Sequence, residues 1–189
     1  MYDILKKFSR QVSLERFKSH SNNNAVEIME YNKDCDKLDN QWSCGILWGN
    51  DDVKGLIVLK FTTLNVLAMG STIFENTNDE MLFTYTKDFM KEYCNLYAGF
   101  IKGTFNNKGI SVGISLPILS DNFSMDACLG YKSEEAELDQ WKLNSNDSYF
   151  IVQSFVKIED NFKKYDLNFL LESSKEAKES KSKSSIEFF

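Results

Sequence analysis

The chain has 189 residues, 42% of them hydrophobic and 14% aromatic, enough apolar material for one sizeable core and suited to one domain plus a tail. Its formal net charge of −6 comes with no basic cluster, which argues against a nucleic-acid footprint. The longest clean apolar run, Leu56-Ile57-Val58-Leu59, is far too short to span a bilayer, and charge interrupts MYDILKKFSRQVSLERFKSH too often for a secretory signal.

Cys35, Cys44, Cys94 and Cys128 stand at irregular spacings without a C-x-x-C pair, and the chain has a single histidine, so a zinc site lacks ligands. All four cysteines are read as reduced and mostly buried, which fits a cytoplasmic protein. The sequons at Asn122 and Asn146 are then incidental.

In chain order, apolar positions Ile4, Leu5, Phe8, Val12 and Leu14 or Phe17 give residues 2–18 the period of an amphipathic helix packed on a core. The SHSNNN stretch, residues 19–24, reads as a loop, with His20 in it as a solvent-exposed bystander. Residues 25–31 alternate as a strand, and residues 33–41 are a polar excursion. Trp42 to Trp48 and Leu56 to Phe61 form two strands joined across Gly49-Asn50-Asp51-Asp52. Thr62 or Thr63 caps a helix over residues 64–74, and residues 76–78 form a break.

A long helix follows, with Asn78 or Asp79 as its N-cap and Asp79 and Glu80 at the positive end of its dipole. At about 100° per residue, Asp88, Glu92, Asn95 and Gly99 share one narrow stripe, while Met90, Cys94, Tyr97 and Ile101 lie opposite as the core face. Asn competes with helical backbone bonds, and Gly costs on the order of 1 kcal/mol against Ala in mid-helix, so both residues need a reason to be there. Asn106, Asn107 and Gly109 supply a turn, and a β-branched strand runs over residues 110–119 through Pro117, the only proline. Residues 138–143 and 149–158 are final strands around a turn at 144–148. From Glu159 the composition shifts: residues 162–171 can form a docked helix, and residues 173–185 are a Lys/Ser/Glu-rich linker.

Asp88-x3-Glu92-x2-Asn95, with Gly99 four residues later and Pro117 after twenty-one residues beyond the Asn, resembles the signature of the CheC/CheX/FliY family of chemotaxis phosphatases. The likeness covers roughly residues 25–157 and is carried by the motif helix and the strand–helix–helix order before it. No second Glu-x2-Asn helix precedes the first, so the chain looks like the single-site CheX type. The resemblance implies an α/β protein: a two-layer α+β sandwich whose mixed, mostly antiparallel sheet is packed by two long helices. Residues 1–158 are then a CheX-like phosphatase domain with an N-terminal helix, and residues 159–189 a C-terminal helix and a polar, disordered tail.

In that family the substrate is the aspartyl phosphate of a CheY-like response regulator. The resemblance gives Asn95 the task of orienting the attacking water and gives Glu92 an ion pair with the regulator's lysine. Asp88 and Gly99 fall at the substrate-protein interface. No cofactor belongs to the chain itself; the Mg²⁺ is the regulator's. A homodimer through a continued sheet is also implied. Two positions depart from the family pattern: Phe100 stands where another Asn is common, and a glycine often found shortly after the proline is missing. Both bear on substrate-loop geometry and neither touches Glu92 or Asn95. A non-catalytic response-regulator-binding module of the same fold is the alternative, and a scaffold acting through residues 173–189 is a third reading.

Overall fold

A computed structural model of the chain describes residues 1–33, 38, 41–74, 79–121 and 135–179. Helix α1 (Tyr2–Ser21) precedes strand β1 (Glu27–Glu30) and the hairpin β2 (Trp42–Gly49) and β3 (Val53–Phe61). Short helices α2 (Thr63–Met69) and α3 (Ser71–Phe74) lead to α4 (Asp79–Asn106). Strands β4 (Gly113–Ile114), β5 (Ile118–Ser120), β6 (Glu137–Ser145) and β7 (Ser148–Ile158), a 3₁₀ turn (Asp160–Lys164) and helix α5 (Asn168–Glu179) complete the order.

The strands form one sheet in the order β1-β6-β7-β3-β2-β4, with β5 also pairing β2. Every described pairing is antiparallel. Two tight turns set the registers. Gly49 adopts a φ of 138°, and the Asn50 side-chain oxygen accepts from the Asp52 and Val53 amides at 2.9 and 3.0 Å, so Gly49 pairs with Lys54 and strand β3 starts at Val53 rather than Leu56. Asn146 takes a left-handed φ of 48° between β6 and β7.

The two long helices lie on one face of the sheet, as the family resemblance implies. They run antiparallel: the Tyr97 hydroxyl donates to the Ser9 carbonyl at 3.1 Å, Tyr93 to Ser13 at 3.0 Å, and Phe17 meets Phe89 edge-on at a centroid distance of 6.0 Å. Beneath them Trp141 donates its indole N–H to the Ser13 hydroxyl at 3.0 Å, which satisfies polar groups in an otherwise apolar layer. Arg10 fixes the outer edge of α1 by reaching Asp139 on β6 at 2.8 Å and Glu30 on β1 at 2.5 Å. Those carboxylates hold the guanidinium well above its ordinary range, the Asp139 hydrogen bond contributing most. The central core joins Phe8, Phe17, Ile57, Phe61, Met90, Tyr93, Phe105, Trp141 and Phe150. On the opposite sheet face Leu56, Val58 and Phe155 form a smaller cluster with Leu47 and Ala136.

Several expected boundaries move. Helix α1 does not stop before Ser19; it runs to Ser21 and ends at Asn22, whose φ of 50° makes a left-handed C-cap. The helix expected over 64–74 is broken at Gly70, whose N–H bonds back to the Val66 carbonyl at 2.9 Å before the chain re-enters α3. The strand expected over 110–119 is two short pieces, because Pro117 has no N–H for the ladder and Ser115 occupies the gap, bonding the Leu47 backbone. Near the C-terminus the expected helix over 162–171 is a 3₁₀ turn followed by α5, and α5 extends to Glu179, through residues read from composition as linker. Phe162, Leu167 and Leu170 are buried in the central core. Asn78, one of the two proposed N-caps, lies outside the described residues, as do Cys35 and Cys128. Cys44 and Cys94 are free and buried, and burial pushes the Cys94 thiol far above its ordinary value.

Candidate functional site

Helix α4 is 28 residues long and uses two faces differently. Met90, Cys94, Tyr97 and Ile101 are buried, as their spacing predicts. On the opposite face Glu92 is exposed, Asn95 and Gly99 are half-buried, and the Asp88 side chain retains 56% of its accessible surface. All of the stripe residues therefore sit together on one outward line of a rigid helix. The helix is held by the core on its other side, which fixes the direction in which Glu92 and Asn95 project.

Electrostatically the members of the stripe differ. Asp88 is paired with Lys91 one turn on, at 2.5 Å. Among the described residues no cation pairs with Glu92, and the Asn95 amide has no protein partner. An acceptor carboxylate and a donor–acceptor amide thus stand on one outward face, one helical turn apart. A side-chain carbon built on Gly99 or on Gly103 meets nothing within 4 Å among the described residues, so none of their packing requires glycine at either place. Leu96, one turn before Gly99, is an exposed apolar side chain, and Met81 and Tyr85 are exposed nearer the N-terminal end of the same helix.

One neighbour was not expected. His20, read from the sequence as a solvent-exposed loop residue, sits in the last turn of α1 and is half-buried against α4. Its ring stacks on Phe89 at a centroid distance of 4.1 Å, and its Nε2 lies 3.1 Å from the Phe89 carbonyl oxygen. A carbonyl only accepts, so Nε2 carries the proton and Nδ1 is the bare nitrogen when the ring is neutral. Burial holds the imidazole below its ordinary value, opposed by the Phe89 hydrogen bond and by the Glu92 carboxylate. The signal was present in the spacing: Ser13, Phe17 and His20 continue the buried face of α1 by steps of four and three.

No protein-family model matches the chain, and no curated protein matches it. Solved structures do. One chain of the CheX–CheY–BeF₃–Mg²⁺ complex of Borrelia burgdorferi is 16% identical with a TM-score of 0.58, over 82% of this chain and 97% of that one. The chemotaxis protein CheX of Vibrio vulnificus is 13% identical with a TM-score of 0.57, over 82% of this chain and 99% of that one. A CheC-like protein of Shewanella oneidensis MR-1 is 16% identical with a TM-score of 0.58, over 83% of this chain and all 100% of that one. At such identities the likeness defines the fold: this chain has the two-layer architecture of the CheX and CheC-like chemotaxis proteins. Within that class the one Glu-x2-Asn helix among the described residues fits the CheX type, in line with the resemblance read from the sequence.

Proposed function

We propose that the protein is a CheX-type phosphatase that hydrolyses the aspartyl phosphate of a CheY-like response regulator. The observation that carries this reading is the outward placement of Glu92 and Asn95, one turn apart and unpartnered among the described residues, on a chain with the CheX fold. An amide has no basicity at neutral pH, so Asn95 removes no proton. It holds a water by accepting and donating hydrogen bonds, which suffices where the electrophile is an acyl phosphate and positioning dominates. Glu92 supplies the negative charge that pairs with the regulator's lysine and sets the depth of insertion. The Mg²⁺ that neutralises the phosphoryl oxygens belongs to the regulator; the CheX–CheY complex contains both BeF₃ and Mg²⁺.

Chemotaxis signalling in the cytoplasm, and a homodimer formed by extending the sheet at an edge, belong to the same reading. Among the described residues the sheet ends at β1 and at the interrupted β4/β5 side. The direct test is the decay of phosphorylated regulator with and without the protein. Acceleration of decay is expected; a protein that binds the phosphorylated form and leaves its lifetime unchanged is the non-catalytic module instead.

Gly99 gives a prediction in which stability and function part company. With nothing within 4 Å of the added methyl, Gly99→Ala is expected to stabilise the chain by on the order of 1 kcal/mol, from helix propensity alone. If regulator loops close over that backbone, the same methyl weakens docking several-fold. Urea unfolding and regulator binding measured on one preparation separate the two effects. An unchanged affinity removes Gly99 from the docking surface.

A further inference from the structure

We infer that His20, reaching across from α1, is a positioning residue for Glu92: neutral, it leaves the carboxylate free for the partner's cation, and protonated at Nδ1, it competes for that carboxylate. The inference rests on the phosphatase reading only for its consequence in catalysis; the anchoring of the ring on Phe89, one turn before Glu92, belongs to the isolated chain.

The geometry begins with an anchored ring. Phe89 stacks beneath the imidazole, its carbonyl takes the Nε2 proton, and Tyr93 lies further along with a centroid distance of 6.5 Å. Phe89 is one turn before Glu92 on α4, so the ring stands beside the base of the Glu92 side chain. An anchored Nε2 sends any additional proton to Nδ1, and the positive charge then appears next to Glu92.

The other charged groups near His20 have contacts of their own, although the buried Arg16 Nε has no described hydrogen-bond partner. On its own helix Arg16 lies over the Phe100 ring at 4.2 Å, and Glu15 bonds Gln11 at 2.9 Å. On α4 Asp88 is held by Lys91, and the Tyr93 hydroxyl, pushed far up by burial, donates to the Ser13 carbonyl. Phe17 and Phe74, which both pack on Phe89, are uncharged. The Glu92 carboxylate favours the charged imidazole.

At neutral pH burial keeps the ring uncharged, so Glu92 is available to a partner. As the pH falls the imidazolium forms, the Glu92 carboxylate stabilises it, and pairing with a partner lysine must compete with that attraction. The expected signature is a loss of assisted dephosphorylation in acid beyond any change in the regulator's own decay.

Two measurements test this. His20 is the only histidine in the chain, so its ring proton resonances titrate without ambiguity in the full-length protein. Glu92→Gln is expected to move that titration to lower pH, because the anion that favours the imidazolium is gone; identical curves overturn the inference. This arm needs no regulator. In the second arm, acceleration over unassisted decay is compared at pH 8 and pH 5.5 for wild type and for His20→Gln, whose side-chain amide can still donate to Phe89 but cannot become charged. Wild type is expected to lose more of its acceleration at the lower pH than His20→Gln, which stays nearly flat. Equal losses in both overturn the inference. A shifted titration in a protein that dephosphorylates no regulator instead removes the phosphatase reading and leaves the electrostatic influence of Glu92 on His20 standing.

Discussion

Asn95→Ala is expected to lower assisted dephosphorylation of a CheY-like regulator by about 100-fold or more, with little change in regulator affinity. The size follows from what the residue does in the proposed reaction. A water that must be held in line with the scissile phosphorus has no other described group on this face to hold it: Asp88 is engaged by Lys91, and Glu92 is assigned to the partner's lysine. Losing one positioning group in a reaction with little covalent chemistry for the protein to do removes most of the acceleration. The small effect on affinity follows from Asn95 being one half-buried side chain beside a wider surface that includes Tyr85, Leu96 and Gly99. Its fold should survive, because the amide has no partner among the described residues and Ala is the better helix former. Single-turnover decay of phosphorylated regulator, alongside binding of a beryllofluoride-loaded one, makes the separation. Full activity in the variant would remove Asn95 from the reaction.

The stripe that leads to this prediction was readable because it lies within one helix. Spacings of four, three and four put Asp88, Glu92, Asn95 and Gly99 on one line before any tertiary contact is considered, and the opposite spacing put Met90, Cys94, Tyr97 and Ile101 in the core. Hairpins were readable for the same local reason: Gly49-Asn50 and Asn144 to Ser148 are turn chemistry between alternating strands. What escaped is non-local. His20 meets Phe89 across a chain separation of 69 residues, and a Ser/His/Asn-rich stretch looks like loop until α1 is seen to use Ser13, Phe17 and Ser21 on its buried face. Small hydroxyls there satisfy themselves inside the helix, Ser13 and Ser21 donating to the Arg10 and Phe17 carbonyls at 2.7 Å, so polarity gave a misleading sign of exposure. The broken edge strand shows the same limit. Its β-branched composition argued for a continuous strand, but the ladder depends on β2, where Leu47 bonds Ser115 and Pro117 can donate nothing. At α5 composition misled in the other direction: Lys175, Glu176, Ala177, Lys178 and Glu179 read as linker are also strong helix formers, and the turn before them is fixed by Leu167 and Leu170 in the core.

The junction beneath the site carries the second large effect. Phe17 is fully buried and touches aromatic rings from two other elements: Phe89 and Tyr93 on α4 at 6.0 and 5.1 Å, and Phe150 on β7 at 4.8 Å. Two of these contacts are edge-on, the favourable arrangement for aromatic quadrupoles, so removing the ring loses specific contacts as well as buried area. Phe17→Ala is therefore expected to cost about 3–5 kcal/mol, near the upper end for a core truncation, because rings held by two helices and a central strand cannot collapse into the space. For a chain of this size the corresponding fall in Tm is about 10 °C. Leu64→Ala, at a side chain 78% exposed, is the matched control and should stay within about 0.5 kcal/mol. The consequence reaches the surface because Phe17 sets how closely the end of α1 approaches Phe89, and His20 rides on that approach one turn later. At temperatures where the Phe17→Ala protein is still folded, its His20 titration should move toward that of a solvated imidazole, since part of the burial that holds it down is lost. A variant that loses less than about 1 kcal/mol would mean that α1 packs on α4 more loosely than these ring distances require.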